Sequence, residues 1–238
     1  MKTSPQSRTA LFVIAGLIVV AVSVMIQLQL SVEEFRPVRS VSQAAAARPE
    51  AVSHAALVVI DVRNDFWIPE VASSAPAFQD RLRELLADCR RHGLPVIHVR
   101  TRYDENLSNW PQRFLSTHLE AQLCLEGSTG EHPLSCAREL EHEEIFIKGN
   151  FDAFSNEQFA GYLQESGIQK LYLCGLYTDV CILSTGMPAF NRGFHVTLVS
   201  DCCASTRATH KFVIERYTDF MFSEQKSESV RTSLRQGS

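Results

Sequence analysis

The sequence predicts an α/β fold: a three-layer αβα domain around a mostly parallel, Rossmann-like sheet of five to six strands, preceded by one N-terminal transmembrane helix. Three observations carry this expectation. From residue 55 onward, short apolar runs alternate with stretches of helical periodicity. Those runs are apolar almost throughout, which marks parallel strands covered on both faces. Residues 10–26, "ALFVIAGLIVVAVSVMI", contain no charge at all.

In chain order, residues 1–9 form a short tail carrying Lys2 and Arg8. Residues 10–30 follow as a membrane anchor, since about twenty apolar residues at 1.5 Å each cross a hydrocarbon core of roughly 30 Å. A cleaved signal is the alternative, with Ala21-Val22-Ser23 as a small-x-small cleavage site. Lys2 and Arg8 on one side, and Arg36, Arg39 and Arg48 on the other, leave the side of the membrane open. Residues 31–54, rich in Ala and Ser, read as a linker, residues 55–225 as one domain, and residues 226–238 as a polar tail.

Within the domain, "AALVVID" (55–61) reads as the first strand. "FQDRLRELLADCRRHG" (78–93) spaces Leu82, Leu85, Leu86 and Cys89 as one helical face and stops at Gly93. "LPVIHVR" (94–100) and "EEIFIK" (143–148) are the next strands. A helix follows over 155–167, with Ser155 as N-cap and Gly167 as stop. "KLYLCGL" (170–176) is a strand, 179–193 a helix, "HVTLVSD" (195–201) a strand, and 207–222 a last helix.

The chain has 238 residues, 45% hydrophobic and 21% charged, with a net charge of -4. No basic excess favours nucleic acid as a partner. Seven cysteines, at 89, 124, 136, 174, 181, 202 and 203, are too sparse for a disulfide scaffold and contain no CxxC zinc signature.

Ligands of an open parallel sheet bind outside the carboxyl ends of its strands. Those ends carry Asp61, Lys148 and, after the fourth strand, "CGLYTDVC" with Cys181. An isolated aspartate there often caps a helix, and a strand-end lysine is usually solvated. Together the three suit covalent catalysis, which needs a nucleophile, a group to take its proton and a charge to hold the anion. A helix-start position and a nearby lysine would each favour the Cys181 thiolate.

Four stretches give a resemblance: "LVVIDVRNDF" (57–66), "IKGNFDAF" (147–154), "LYLCGLYTDVCI" (171–182) and "NRGFHVTLVSD" (191–201). In this order they resemble the isochorismatase-like cysteine hydrolases, the superfamily that includes nicotinamidases and carbamoyl amidohydrolases. The resemblance implies a catalytic triad of Asp61, Lys148 and Cys181 and a cis peptide between Leu176 and Tyr177. It also implies an oxyanion hole made by the backbone N–H groups of Tyr177 and Cys181. It implies amide hydrolysis of a small molecule through a thioester on Cys181, with Asp61 moving the protons, and family members commonly form dimers or tetramers. Phe66 and Trp67 are candidate pocket walls, since a flat amide stacks on an aromatic ring.

The sequence departs from nicotinamidases where they carry a metal-binding Asp-x-His. Here "TRYDENLSNW" (101–110) has Asp104 followed two residues later by Asn106, so neither a metal nor another cofactor is expected. His118 and His132 lie in a loop of uncertain alignment, and His98 reads as a core residue. Arg100 and Arg102 suggest a carboxylate or ureido group on the substrate. Pro188 should kink the helix after Cys181 or end it near Gly186. Cys202 and Cys203 read as two small residues in a tight turn. Two alternative functions stay open: enol-ether hydrolysis of the isochorismatase type, and a catalytically idle, membrane-tethered binding domain.

Overall fold

A computed structural model describes residues 54–104 and 123–236. The expected anchor (10–30), the linker up to residue 53, Asn106 and His118 lie outside the described residues. Among the described residues, no helix is long and apolar enough to cross a membrane.

Six strands form one sheet: β1 (Ala55–Ile60), β2 (Val96–Thr101), β3 (Glu144–Lys148), β4 (Lys170–Leu176), β5 (His195–Ala204) and β6 (Ser223–Gln225). Their order is β3-β2-β1-β4-β5-β6, and every neighbouring pair is parallel. All six residues of β1 are buried, which is why its apolar run is unbroken. Leu57 and Val59 point into one core, with Cys174 and Leu176 of β4. Val58 and Ile60 point into the other, with Leu171 and Leu173. The period-two alternation of a strand thus feeds two separate helical layers.

On the first face lie α1 (Pro69–Ser74), α2 (Phe78–Arg91) and α6 (Ser227–Gln236). The second carries α3 (Glu157–Glu165), α4 (Leu183–Asn191) and α5 (Arg207–Tyr217). Leu82, Leu85, Leu86 and Cys89 of α2 are all fully buried, as their spacing predicts. The N-cap of α3 is Asn156 rather than Ser155: its side chain accepts from the backbone N–H groups of Gln158 and Phe159.

Gly175 lets β1 and β4 close up beside the strand ends. Its φ is 127°, and a Cβ there would meet the carbonyl oxygen of Ile60 at 1.9 Å. Only glycine fits.

Four expectations are corrected. Residues 226–238 are not simply a polar tail: Ser227–Gln236 form α6, whose Val230 and Leu234 are buried. Asp88 on α2 holds this helix by accepting from Arg231 (2.7 Å) and Arg235 (2.6 Å). Strand five does not end at Asp201 but runs on to Ala204, so Cys202 and Cys203 are strand residues and not a turn. Asp201 accepts from the backbone N–H (2.7 Å) and hydroxyl (2.9 Å) of Ser227, anchoring the start of α6. Finally, α4 runs through Pro188 to Asn191. Burial of Thr185, Gly186 and Ala189 against the sheet overrides a proline cost of about 3 kcal/mol.

Leu234→Ala is therefore expected to cost about 2–5 kcal/mol in urea unfolding, the range for emptying a buried leucine site. An unchanged midpoint would return residues 226–238 to the status of a tail.

Candidate active site

The strand order reverses between β1 and β4, which opens a crevice at their carboxyl ends. Asp61 follows β1, Lys148 ends β3, and Cys181 lies in a π-helical turn, Thr178–Ile182, that follows β4. Lys148 pairs in register with Thr101 on β2, and its long side chain crosses β2 to reach the other two groups. Its Nζ is 2.7 Å from Asp61 Oδ2 and 3.4 Å from Cys181 Sγ. It also donates to Thr101 Oγ1 at 2.7 Å and to the Asn150 carbonyl at 2.8 Å. The three residues named from the strand ends do converge.

Asp61 is held from both oxygens. The Thr101 N–H donates to Oδ1 at 2.6 Å, and the Thr101 hydroxyl donates to Oδ2 at 3.0 Å. Its backbone sits at φ 53°, sparsely populated for a non-glycine residue. The Asp61 N–H donates to the Val99 carbonyl at 3.0 Å, and its own carbonyl accepts from Arg63 at 2.9 Å, which fixes that conformation. The peptide between Leu176 and Tyr177 is cis.

An isochorismatase domain model matches residues 55–225, the span that contains the whole sheet and this crevice. The chain belongs to the isochorismatase family. An isochorismatase family protein of Bacillus subtilis, YddQ, is 30% identical over 159 residues, covering 63% of this chain and 78% of that protein. The ureidoacrylate amidohydrolase RutB of Azorhizobium caulinodans is 27% identical over 191 residues, covering 69% of this chain and 82% of its own. Among solved structures, a cysteine hydrolase from Pseudomonas syringae pv. phaseolicola 1448A superposes with a TM-score of 0.74 at 16% identity. That match covers 81% of this chain and 97% of the other.

In this member of the isochorismatase family, burial and Asp61 set the charge state of the nucleophile candidate. Burial pushes the Cys181 thiol well above its ordinary range, and the Asp61 carboxylate adds to the push. Lys148 acts the other way, as its position suggests, but does not win. The balance biases Cys181 towards the neutral thiol, with both Asp61 and Lys148 within hydrogen-bonding reach. Burial disfavours the Lys148 ammonium, yet Asp61 and Cys181 outweigh it and hold its pKa above the ordinary value.

The pocket candidates fare unequally. Phe66 meets the Tyr177 ring edge-on at 5.6 Å, at the start of the Thr178–Ile182 turn. Trp67 stacks on Phe78 of α2 at 5.2 Å. Arg102 pairs with Glu131 at 3.0 Å and Glu126 at 3.5 Å, and Arg100 pairs with Glu139. His98 is buried and bonds Glu143 at 3.0 Å, as a core residue would. Among the described residues, no group of three or more His, Cys, Asp or Glu side chains could hold a metal.

Two contributors were missed. Thr101 clamps Asp61 and receives Lys148, and the available signal was a hydroxyl ending an otherwise apolar strand. Tyr103, buried within electrostatic reach of Lys148, Cys181 and Asp61, has its phenol pushed up to about 12, chiefly by burial. Nothing local marks it.

All seven cysteines are free and buried, and burial is the first cause of an upward push on every one. Cys136 rises to about 11, and Cys89, Cys124 and Cys203 to about 12. The unfolded chain loses these protons near pH 8.5 while the fold keeps them, so stability falls as pH rises above that value. Urea midpoints measured from pH 7 to 10 are expected to drop steeply above 8.5; a flat profile would contradict protonated, buried thiols.

Proposed function

We propose that this isochorismatase-family hydrolase cleaves a C–N bond in a small amide or carbamoyl compound through a thioester on Cys181. The observation that carries this reading is the ammonium of Lys148 placed 2.7 Å from Asp61 and 3.4 Å from Cys181. A neutral thiol beside a carboxylate needs its proton taken only as the sulfur attacks, which is general base catalysis by Asp61. Cys181 Sγ bonds to the carbonyl carbon while its proton passes to Asp61. The developing oxyanion is received by the backbone N–H groups of Tyr177 and Cys181. Asp61 then gives the proton to the leaving nitrogen, and the C–N bond breaks. Water adds to the thioester with Asp61 taking a proton, and the acid leaves as the C–S bond breaks and the thiol re-forms. Lys148 keeps its charge throughout and stays 2.7 Å from the carboxyl group that shuttles the proton.

Two relatives support an amide as the substrate class: the ureidoacrylate amidohydrolase, and nicotinamidase 3 of Arabidopsis thaliana, 25% identical over 156 residues. The test is a panel of small amides and ureides with ammonia detection, combined with acid quenching and mass spectrometry. Ammonia release together with an acyl adduct on the Cys181 peptide is expected. Neither signal across the panel would sink the reading.

Residues 10–30 serve, in this proposal, as a single-span anchor; their uncharged, largely apolar run supports it. The full chain is expected to stay with membranes through an alkaline carbonate wash, and a chain starting at residue 50 to be washed free. Release of both would refute the anchor.

A further inference from the structure

A second cleft lies on the far side of the nucleophile turn. It encloses about 390 Å³ between the loop joining α1 to α2, the end of β5 and the first turns of α5. That volume is within the range of small-molecule sites. None of Asp61, Lys148 and Cys181 lines it.

Its walls carry Arg81, Arg207, Lys211 and Lys226 against one carboxylate, Asp201. In a chain of net charge -4, this is a concentrated positive surface. Asp201 offsets one of these charges, pairing with Arg81 at 3.7 Å while its oxygens also accept from Ser227, and leaves the cations in excess. Lys226 is steered by Ser200 at 2.7 Å and Glu224 at 3.0 Å. Among the described residues, Lys211 has only an exposed pair with Glu215 at 3.6 Å, the kind worth little in water. Arg207 makes no ion pair among the described residues. The first turn of α5, whose Arg207 lines the cleft, carries no side-chain cap. Its N-cap Thr206 makes no capping bond; the hydroxyl instead lies 2.9 Å from that of Thr209. Helix-start N–H groups and converging cations both select an anion with several acceptor oxygens.

Two side chains of the cleft reach the nucleophile turn. His210 Nδ1 lies 2.9 Å from Thr178 Oγ1, and the Ser205 hydroxyl donates to Asp179. Thr178 and Asp179 open the turn that ends in Cys181 and Ile182. We propose that this cleft binds the phosphate group of a small anionic metabolite, and that its occupant acts on the Cys181 turn through His210 and Ser205. The binding does not depend on what Cys181 does.

The probe is inorganic pyrophosphate, titrated calorimetrically into the full-length chain in detergent at low ionic strength. One saturable site is expected, weakening as salt is added. Arg207 and Lys211 are both exposed. R207E/K211E should therefore fold and lose at least about tenfold in affinity, with R207Q intermediate. Arg83→Glu, an exposed charge reversal on α2 outside the cleft, should bind as wild type does. Non-saturable binding, or equal affinity in R207E/K211E and wild type, overturns the site. The link to the turn is read from the rate at which iodoacetamide labels Cys181. Pyrophosphate should change that rate in wild type and not in R207E/K211E. Tight binding that leaves the wild-type rate untouched overturns the link.

Discussion

Asp61→Asn is expected to lower the turnover rate by about 10²–10⁴-fold, the usual worth of a positioned general base, and at the same time to make Cys181 easier to alkylate. Asparagine keeps the shape of the side chain and an oxygen for the Thr101 N–H, but it cannot accept the thiol proton. Asp61 also raises the Cys181 pKa while Lys148 lowers it. With the carboxylate gone and the ammonium kept, the thiolate population rises. Iodoacetamide labelling at neutral pH should therefore be faster than in wild type, although hydrolysis is slower. A purely structural role for Asp61 predicts loss of hydrolysis without this gain. If both rates fall together in a folded protein, the assignment of Asp61 as base fails.

Lys148→Met should be the more damaging change for stability. Lys148 and Asp61 are fully buried as a pair, and removing the ammonium leaves the carboxylate buried without its counter-charge. Breaking such a pair costs about 3–5 kcal/mol. The Thr101 hydroxyl and the Asn150 carbonyl lose a donor as well. Asp61→Asn in the same chain removes the stranded charge, so D61N/K148M should regain most of the lost stability. It should regain none of the activity. Urea unfolding and ammonia release on the three variants check this cycle; additive stability losses would mean the two residues are not coupled as the 2.7 Å contact requires.

The elements that sequence reading reached best are those whose signal is local. The strand "KLYLCGL" occupies Lys170–Leu176 with the bounds its apolar run suggests, and the face of Leu82, Leu85, Leu86 and Cys89 is the buried face of α2. The final helix was lost because only Val230 and Leu234 of it reach the core. Much of its hold on the domain also comes from Asp88, more than a hundred residues earlier in the chain. The surroundings of Trp67 were likewise not legible: an aromatic after a strand end can face either way, and in the fold it stacks on Phe78.

By itself, the sequence determined the layered α/β class, five of the six strands and the three residues at their ends. Apolar runs, helical spacing and a polar residue ending a buried strand are all set by neighbours in the chain. Tertiary structure decided that Lys148 crosses β2 to touch both Asp61 and Cys181, and that Thr101 grips Asp61 from the intervening strand. It also decided which groups bias the charge of Cys181. That charge is a balance of burial, one carboxylate and one ammonium, and the balance depends on distances between residues far apart in sequence. No periodicity encodes such distances; only the folded sheet brings the charges within a few ångströms of one another.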